Sequence, residues 1–260
     1  MASDSTLLRW CNIVAFVLVV IVNGIAGGTT IIGGRNTADV SNAYSTLITP
    51  AGYTFAIWGA IYILLGVFVI YQALPRSRSQ VFHQKVGWLF VLSSLFNILW
   101  IFAWQNEYLA WSVLLIFLLL ASLILIYLRL DIGRSKVGRD ERLAVHLPFS
   151  VYLGWITIAS IADVAATLVS VNWDGFGISP ETWAILIILI AVLIASLVAY
   201  IRKDIAYELV VIWAFLGIAV NQGDYRTIQE LLLASMVVVA IVLVASIIYA
   251  RRIPKKASTG

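Results

Sequence analysis

Charged residues are scarce in this sequence. Of its 260 residues, only 12% are Asp, Glu, Lys or Arg, whereas 62% are hydrophobic. Soluble domains carry about 25% charged and about 45–50% apolar residues. This imbalance excludes an ordinary soluble domain and predicts an integral membrane protein whose partner is the lipid bilayer. The net charge of +4 does not indicate a nucleic-acid partner, and we expect none, because basic residues in short loops report membrane orientation instead.

Residue types that carry chemistry are also few. The single cysteine, Cys11, excludes an internal disulfide and a cysteine-rich metal site. The two histidines, His83 and His146, form no metal-ligand motif, and we interpret His146 as an interfacial residue rather than an axial haem ligand. The predicted spans contain no lysine, which excludes a retinal Schiff base. With no phosphate-binding loop and no serine–histidine pairing, the sequence offers no catalytic residues and favours a binding protein over an enzyme.

Long apolar stretches are abundant. A membrane-spanning helix needs about 20 mostly apolar residues, and this criterion predicts an all-α, polytopic membrane bundle of about eight helices. The predicted spans lie near 7–26, 52–74, 86–105, 109–129, 143–170, 181–201, 205–221 and 228–250. The seventh is short and holds Glu208 in its first turn, so a half-crossing is its alternative. The first has Arg9 before its apolar run, as a signal peptide does, but we favour a membrane span.

Basic residues predict the orientation of the bundle. All of the 17 lysines and arginines except Arg35 and Arg226 fall on one side of an eight-span arrangement. By the positive-inside rule this side is cytoplasmic, and both termini are therefore predicted to be cytoplasmic. The connection at 27–51 then lies on the other side of the membrane. It is rich in glycine, serine and threonine, which makes it either a solvated linker or a lid over the outer end of the bundle.

Three predicted spans carry aromatic rings and polar groups on one face. Residues at i, i+3, i+7 and i+11 share a face because an α-helix has 3.6 residues per turn. The faces consist of Phe55, Trp58 and Tyr62; of Asn97, Trp100, Trp104 and Tyr108; and of Tyr152, Trp155, Ala159 and Asp163. Interfacial anchoring, for which tryptophan is typical, fits four other tryptophans near span ends: Trp88, Trp111, Trp173 and Trp183.

Asp163 indicates that its face points into the bundle. A charged side chain at the centre of a span costs at least about 2.5 kcal/mol. We therefore expect Asp163 to be protonated and hydrogen-bonded across the bundle, to Asn97 or to a ligand. Three inward aromatic faces would line a cavity for a flat apolar ligand; tight packing, with Asn97 and Asp163 as interhelical glue, is the alternative. The other acidic groups in the spans, Glu208 and Glu230, lie near helix ends and give little support to a proton-coupled transporter.

Three segments resemble motifs of the TspO/translocator family, also called tryptophan-rich sensory proteins. "PAGYTFAIWGAIYILLG" resembles the second-helix motif, "LFNILWIFAW" the third-helix asparagine–x–x–tryptophan signature, and "VYLGWITIASIAD" the fifth-helix tyrosine–x–x–tryptophan stretch. The resemblance covers residues 7–173. The family is a five-helix membrane bundle, often dimeric, that binds tetrapyrroles such as protoporphyrin, sterols in some members, and synthetic aromatic drugs.

The resemblance implies a ligand pocket among the helices beneath the first loop, which favours the lid interpretation of 27–51. It implies pocket roles for Phe55, Trp58, Tyr62, Asn97, Trp100, Tyr152, Trp155 and Ala159, to which the helical faces add Trp104 and Asp163. We therefore predict a porphyrin-binding sensor (a receptor) or a carrier (a transport protein), with no required cofactor beyond a bound tetrapyrrole or other apolar ligand. The alternative is a structural or assembly subunit of a membrane complex.

The sequence departs from the family pattern in three ways. The second-helix motif is one residue shorter between its glycine and its tryptophan, and it lacks the usual proline. Asp163 stands where asparagine is usual. The last three spans have no counterpart in the five-helix core, so we predict a TspO-like bundle at 1–175 and a three-helix membrane extension at 176–260. These added helices leave open whether the protein forms a homodimer or joins a membrane-complex partner.

Overall fold

The computed structural model describes the backbone of residues 2–252 and the side chains of residues 6–250. All regular secondary structure in this part of the chain is helical. The all-α prediction is therefore confirmed. The side chains of four basic residues used to predict orientation, Arg251, Arg252, Lys255 and Lys256, lie outside the described residues. The α-helices are α1 (Ala2–Gly28), α2 (Thr37–Ala43), α3 (Ile57–Ala73), α4 (Phe82–Val86), α5 (Leu89–Gln105), α6 (Leu109–Leu130), α7 (Arg139–Glu141), α8 (Leu147–Ser170), α9 (Pro180–Arg202), α10 (Ile205–Asn221) and α11 (Arg226–Arg252).

A helix stands at each of the predicted spans. Within the described part of the chain, six helical segments are long and apolar enough to cross a membrane, so the protein is an integral, multi-pass membrane protein. The two shorter apolar helices, α5 and α10, have 17 residues each. At 1.5 Å per residue, such a helix is about 26 Å long, against about 30 Å for the hydrocarbon core of a bilayer. Length alone therefore does not decide whether these two helices cross fully.

Polar contacts define the two ends of the bundle. We call the end that carries residues 29–51 the loop end; there, Arg35 Nη1 lies 3.2 Å from Glu107 Oε1, just before α6 begins. We call the opposite end the basic end; there, Arg202 Nη1 lies 2.6 Å from Asp131 Oδ1, joining the C-terminal ends of α9 and α6.

The seventh predicted span, α10, reaches from one end to the other. At the basic end, Asp204 precedes α10 and accepts hydrogen bonds from Tyr127 Oη (2.9 Å) and Ser150 Oγ (2.5 Å). At the loop end, Gln222 follows α10 and donates a hydrogen bond to the carbonyl oxygen of Thr46 (3.1 Å). This placement favours a full crossing over a half-crossing, and eight crossings remain the prediction.

The eight long helices share one apolar core. α5, α6 and α8 pack in sequence, with α1 against α5 and α3 against α8 and α1. α10 packs against the other side of α8 and also contacts α11, which packs in turn against α9. Buried side chains from α1, α3, α5, α6, α8, α9, α10 and α11 belong to a single cluster. Helices from both predicted parts of the chain thus bury a common core, and the predicted division near residue 175 remains a prediction.

Two spans begin irregularly. The second opens with a 3-10 helix, Gly52–Ala56, before α3. The fifth opens with α7 and a π-helical turn, Arg142–His146, which leads into α8 with Pro148 in its first turn. Because proline lacks a backbone N–H, it is tolerated there. The His146 side chain is buried in the protein at the basic end, and its interpretation as an interfacial residue stays a prediction.

The orientation of the bundle can be tested with reporter fusions. We expect a reporter after residue 256 to be cytoplasmic and one in the 172–180 connection to be on the opposite side, because the basic connections lie at one end. Accessibility to a membrane-impermeant label in intact cells would measure this. Both reporters on the same side would contradict the eight-span topology.

Candidate functional site

The three aromatic faces meet around Trp58. Its ring stacks on Tyr62, with 5.6 Å between centroids and 16° between planes. Its centroid lies 5.9 Å from that of Trp100 on α5 and 6.2 Å and 6.0 Å from those of Trp155 and Tyr152 on α8. The helical spacing seen in the sequence therefore turns these rings towards one another inside the protein rather than towards lipid.

A narrow cleft opens between these faces and the loop end. It contains about 530 Å³ of empty space, but this volume includes the open solvent at its mouth, and the enclosed part measures about 40 Å³. The enclosed part is smaller than the roughly 300–1,000 Å³ of typical small-molecule sites, so a larger ligand requires the surrounding rings or the 29–51 segment to move apart. The predicted site residues in its lining are Phe55, Trp58, Trp100, Trp104, Trp155, Ala159 and Asp163. The other residues of the lining are Thr37, Ser41, Ile48, Pro50, Ile158, Ala162, Ala214 and Ile218.

The remaining predicted site residues lie behind this lining. Tyr62 and Tyr152 contact the ring of Trp58 from one helical turn nearer the basic end. Asn97 is fully buried and its Oδ1 accepts a hydrogen bond of 2.6 Å from Asn23 Nδ2, which ties α5 to α1. Tyr62 and Tyr152 thus support the Trp58 ring, and a direct role in binding remains a prediction for all three residues.

Asp163 is buried and faces the interior, with 2% of its surface exposed. Its Oδ2 accepts a hydrogen bond of 2.8 Å from Trp100 Nε1, and its Oδ1 lies 2.7 Å from Ser112 Oγ on α6. The expected hydrogen bond to Asn97 was wrong: in the bundle, Trp100 is the α5 residue that reaches the carboxyl group, one turn nearer the loop end. Asp163 thereby fixes the orientation of one indole ring of the cleft.

The 29–51 segment covers the cleft. Thr37, Ser41 and Ile48 contribute to the lining, and Trp104 Nε1 donates a hydrogen bond of 3.1 Å to the Thr37 carbonyl oxygen. The short helix α2 is held by a capping box, in which Asn36 accepts from the backbone of the first turn. Of the two interpretations of this segment, the packed lid agrees with the structure and the solvated linker does not.

Two contacts fasten this lid to the α5–α6 connection. Tyr44 Oη donates a hydrogen bond of 2.6 Å to Glu107 Oε2, beside the ion pair between Arg35 and Glu107. This hydrogen bond is the main cause of a raised Tyr44 pKa, with burial a smaller one. Gly33 has a φ of +66°, and a Cβ there would overlap the Gln105 carbonyl, so the approach of the lid requires glycine.

Replacing Tyr44 with phenylalanine should destabilise the lid by at most about 1 kcal/mol, the usual limit for partly exposed charged contacts. Because the native pKa is raised, the neutral phenol is favoured in the closed lid. The stabilisation from the Tyr44 hydrogen bond is fully present below about pH 10, the pKa of tyrosine in the unfolded chain. This stabilisation is lost as pH rises through the higher pKa of Tyr44 in the folded protein. Thermal unfolding of wild type and Tyr44→Phe should therefore differ at pH 7 and converge above pH 10. An unchanged difference at high pH would contradict this assignment.

Helix α10 forms a wall of the cleft that the sequence did not reveal. Ala214 and Ile218 line it, and Gly217 lets the helix approach the 3-10 turn so closely that a Cβ would overlap the side chain of Thr54. The backbone N–H of Ala51 donates to the Gly217 carbonyl oxygen at 3.0 Å. In a sequence, small and apolar residues such as Ala214 and Ile218 are equally compatible with a lipid-facing surface and with a cleft wall. Only Gly217 could have indicated a close helix approach here.

The cleft offers few free polar groups. Trp155 is 3% exposed, and its indole Nε1 has no hydrogen-bond partner among the described residues. No lysine or arginine stands in the lining as the described side chains define it. Within residues 2–252 no group of three or more His, Cys, Asp or Glu residues is placed to hold a metal ion. The site can therefore stack on rings and donate a hydrogen bond, but it does not supply a positive charge.

Comparison with known proteins identifies the family. A family model described as TSPO-like protein matches residues 9–249. The chain belongs to the TSPO-like protein family. The match runs through α9, α10 and α11, so the TSPO-like region extends well beyond the motifs at 7–173. No curated protein matches this TSPO-like chain, and no solved structure matches it.

Proposed function

We propose that this TSPO-like protein binds a flat hydrophobic ligand in the aromatic cleft and acts as a sensor or carrier, with a tetrapyrrole such as protoporphyrin as the first candidate. The observation that carries the proposal is the convergence of rings from α3, α5 and α8 on one partly open cleft. Aromatic side chains provide large apolar surfaces and favourable stacking geometry. Membership of the TSPO-like family supports the same function.

The polar groups of the cleft set a requirement on the ligand. The unpartnered N–H of Trp155 would gain a hydrogen bond from an acceptor on the ligand, and an unpaired buried donor is unfavourable without one. Because the described lining contains no cation, any carboxylates of the ligand would stay at the mouth. Arg35 lies at that end of the bundle, where it pairs with Glu107. A tetrapyrrole whose ring is buried and whose acidic groups point outwards satisfies both conditions.

Close packing of the rings supports the second candidate, a structural or assembly subunit of a membrane complex. Trp58 already contacts four neighbouring rings, and such contacts also stabilise helix packing without any ligand. Under this alternative the cleft would be a packing defect beneath the lid, and the protein would show no saturable binding.

Tryptophan fluorescence distinguishes the two functions. We expect protoporphyrin to quench the emission of the purified, lipid-reconstituted protein with a saturable curve and one site per chain, because several indoles line the cleft. A membrane protein of similar tryptophan content without such a cleft serves as the control for partition of porphyrin into lipid. A linear, non-saturating response equal to that of the control would favour the structural role.

A further inference from the structure

We propose that Glu208 is a proton-binding site near the basic end of the bundle, separate from the aromatic cleft. Glu208 lies in the first turn of α10 and is fully buried, with 0% of its surface exposed. Neither carboxyl oxygen has a hydrogen-bond partner among the described residues, and none of the ion pairs found there includes Glu208. No other buried carboxyl group of the described chain is without partners on both oxygens.

The neighbouring acid, Asp204, is fully partnered as a carboxylate. Its Oδ1 accepts from the backbone N–H groups of Ala206 (3.1 Å) and Tyr207 (3.3 Å), which caps α10. Its Oδ2 accepts from the hydroxyl groups of Tyr127 (2.9 Å) and Ser150 (2.5 Å). Four donors and a helix N-terminus stabilise a negative charge on Asp204.

Glu208 follows Asp204 by four residues, and residues with that spacing lie on the same side of a helix. Two negative charges so close together repel each other. An unpaired carboxylate inside an apolar region is also strongly unfavourable, so such a group takes a proton instead. Because Asp204 has donors for its charge and Glu208 has none, Glu208 is the member of the pair that holds the proton.

Among the side chains that the structure describes, none of the ion pairs or hydrogen bonds found around this position brings a cation to Glu208. On α9, Arg202 pairs with Asp131, and Lys203 Nζ donates to the Tyr200 carbonyl oxygen at 3.2 Å. The ionisable neighbours include Tyr207 on α10 itself and Tyr127 on α6, whose hydroxyl group donates to Asp204. His146, just before α8, has its Nε2 4.0 Å from Glu141. Along α11, the sequence between Glu230 and Tyr249 contains no ionisable residue.

The exchange itself is a simple proton equilibrium. The O–H bond of the Glu208 carboxyl group breaks, the electron pair stays on the carboxylate, and the proton passes to water at the basic end. No other reactant is required. Helix α10 carries Glu208 near the basic end and forms a wall of the aromatic cleft at its other end. Ionisation of Glu208 would therefore place an unpaired charge in a helix that also shapes the cleft.

Infrared spectroscopy of the full chain in lipid vesicles tests the proposal. We expect a carbonyl stretching band from a protonated, buried carboxyl group at neutral pH that shifts when the protein is labelled with isotopic glutamate, and that is lost in Glu208→Gln. Glu230→Gln, which changes an exposed acid on α11 paired with Arg226, should keep the band. The glutamate label identifies the band in the wild-type protein, so the result does not depend on the folding of a variant.

Two outcomes would overturn the assignment. One is the absence, at neutral pH, of any protonated-carboxyl band that responds to the glutamate label, which would mean that Glu208 is ionised and held by a cation or water. The other is a glutamate band that persists in folded Glu208→Gln, which would place the proton on a different residue. Neither measurement uses a ligand, so the outcome is independent of the function proposed for the cleft.

Discussion

Replacing Trp155 with alanine should weaken protoporphyrin binding by roughly 5- to 150-fold while the protein remains folded. The change removes a ring of the cleft lining and an unpartnered indole N–H. A favourable aromatic contact contributes about 0.5–1.5 kcal/mol beyond burial, and a hydrogen bond about 0.5–1.5 kcal/mol. Their sum of about 1–3 kcal/mol includes the 1.4 kcal/mol that corresponds to a tenfold change in affinity. Titration of tryptophan quenching on reconstituted protein measures the effect.

Two further variants make this prediction specific. Trp100→Ala should weaken binding as well, but it should also lower stability, because Trp100 holds the Asp163 carboxyl group. Trp183→Ala is the matched control: this indole packs on Trp173, with 5.2 Å between centroids, and donates to the Gly175 carbonyl oxygen, away from the cleft. Equal affinities in all three variants would show that the cleft is not the binding site.

The second large effect concerns Asp163. Asp163→Leu should lower the free energy of unfolding by about 1–3 kcal/mol, because it leaves the buried Trp100 N–H without an acceptor. Ser112 should contribute little to this loss, since its hydroxyl group also lies 2.8 Å from the Leu109 carbonyl oxygen and can donate there. Binding should weaken too, because the Trp100 ring loses the contact that orients it. Chemical denaturation in mild detergent, together with the quenching titration, measures both effects.

Asp163→Asn is the matched control for this prediction. Asparagine has nearly the shape of a neutral carboxyl group and keeps an acceptor for Trp100, so stability and binding should stay close to wild type. The competing hypothesis is a carboxylate that titrates as part of proton coupling. Under that hypothesis the Asp163→Asn variant would lose the activity of the protein. The affinity of the wild-type protein for its ligand would also change between about pH 5 and 8. An inactive asparagine variant would therefore contradict a structural role for Asp163.

The hydrogen-bond geometry around Ser112 is compatible with either protonation state of Asp163. Ser112 Oγ lies within hydrogen-bond distance of both the Leu109 carbonyl oxygen (2.8 Å) and Asp163 Oδ1 (2.7 Å). A serine hydroxyl group carries a single hydrogen. If that hydrogen goes to Leu109, a proton on Asp163 Oδ1 completes the second contact; if it goes to Asp163, the carboxyl group can be ionised. A neutral Asp163 near pH 7, expected from its depth in the span, therefore stays a prediction.

Much of the fold could be predicted because the bilayer imposes simple rules. Long apolar runs require helices, and the position of Asp163 deep in one of them requires an inward face. That face has a fixed spacing, so Trp155 and Ala159 had to point inwards with it. The same spacing placed Trp58 and Trp100 in the lining, where the structure has them.

The features that the sequence did not predict depend on tertiary contacts. Trp100 rather than Asn97 is the partner of Asp163, and this choice depends on how far α5 and α8 are shifted along each other. Ala214 and Ile218 form a wall of the cleft only because Gly217 allows α10 to approach the second span. Periodicity within one helix carries no information on such shifts and approaches.

The most direct test of the central claim is to locate a bound tetrapyrrole on the chain. A protoporphyrin derivative with a photoreactive group, bound to the reconstituted protein and then irradiated, would attach to the residues it touches, and peptide mapping would identify them. We predict labelling of the segments that hold Trp58, Trp155 and the lid residues near Ser41, with competition by unlabelled protoporphyrin. Labelling confined to lipid-facing surfaces, without competition, would contradict a ligand site in the aromatic cleft.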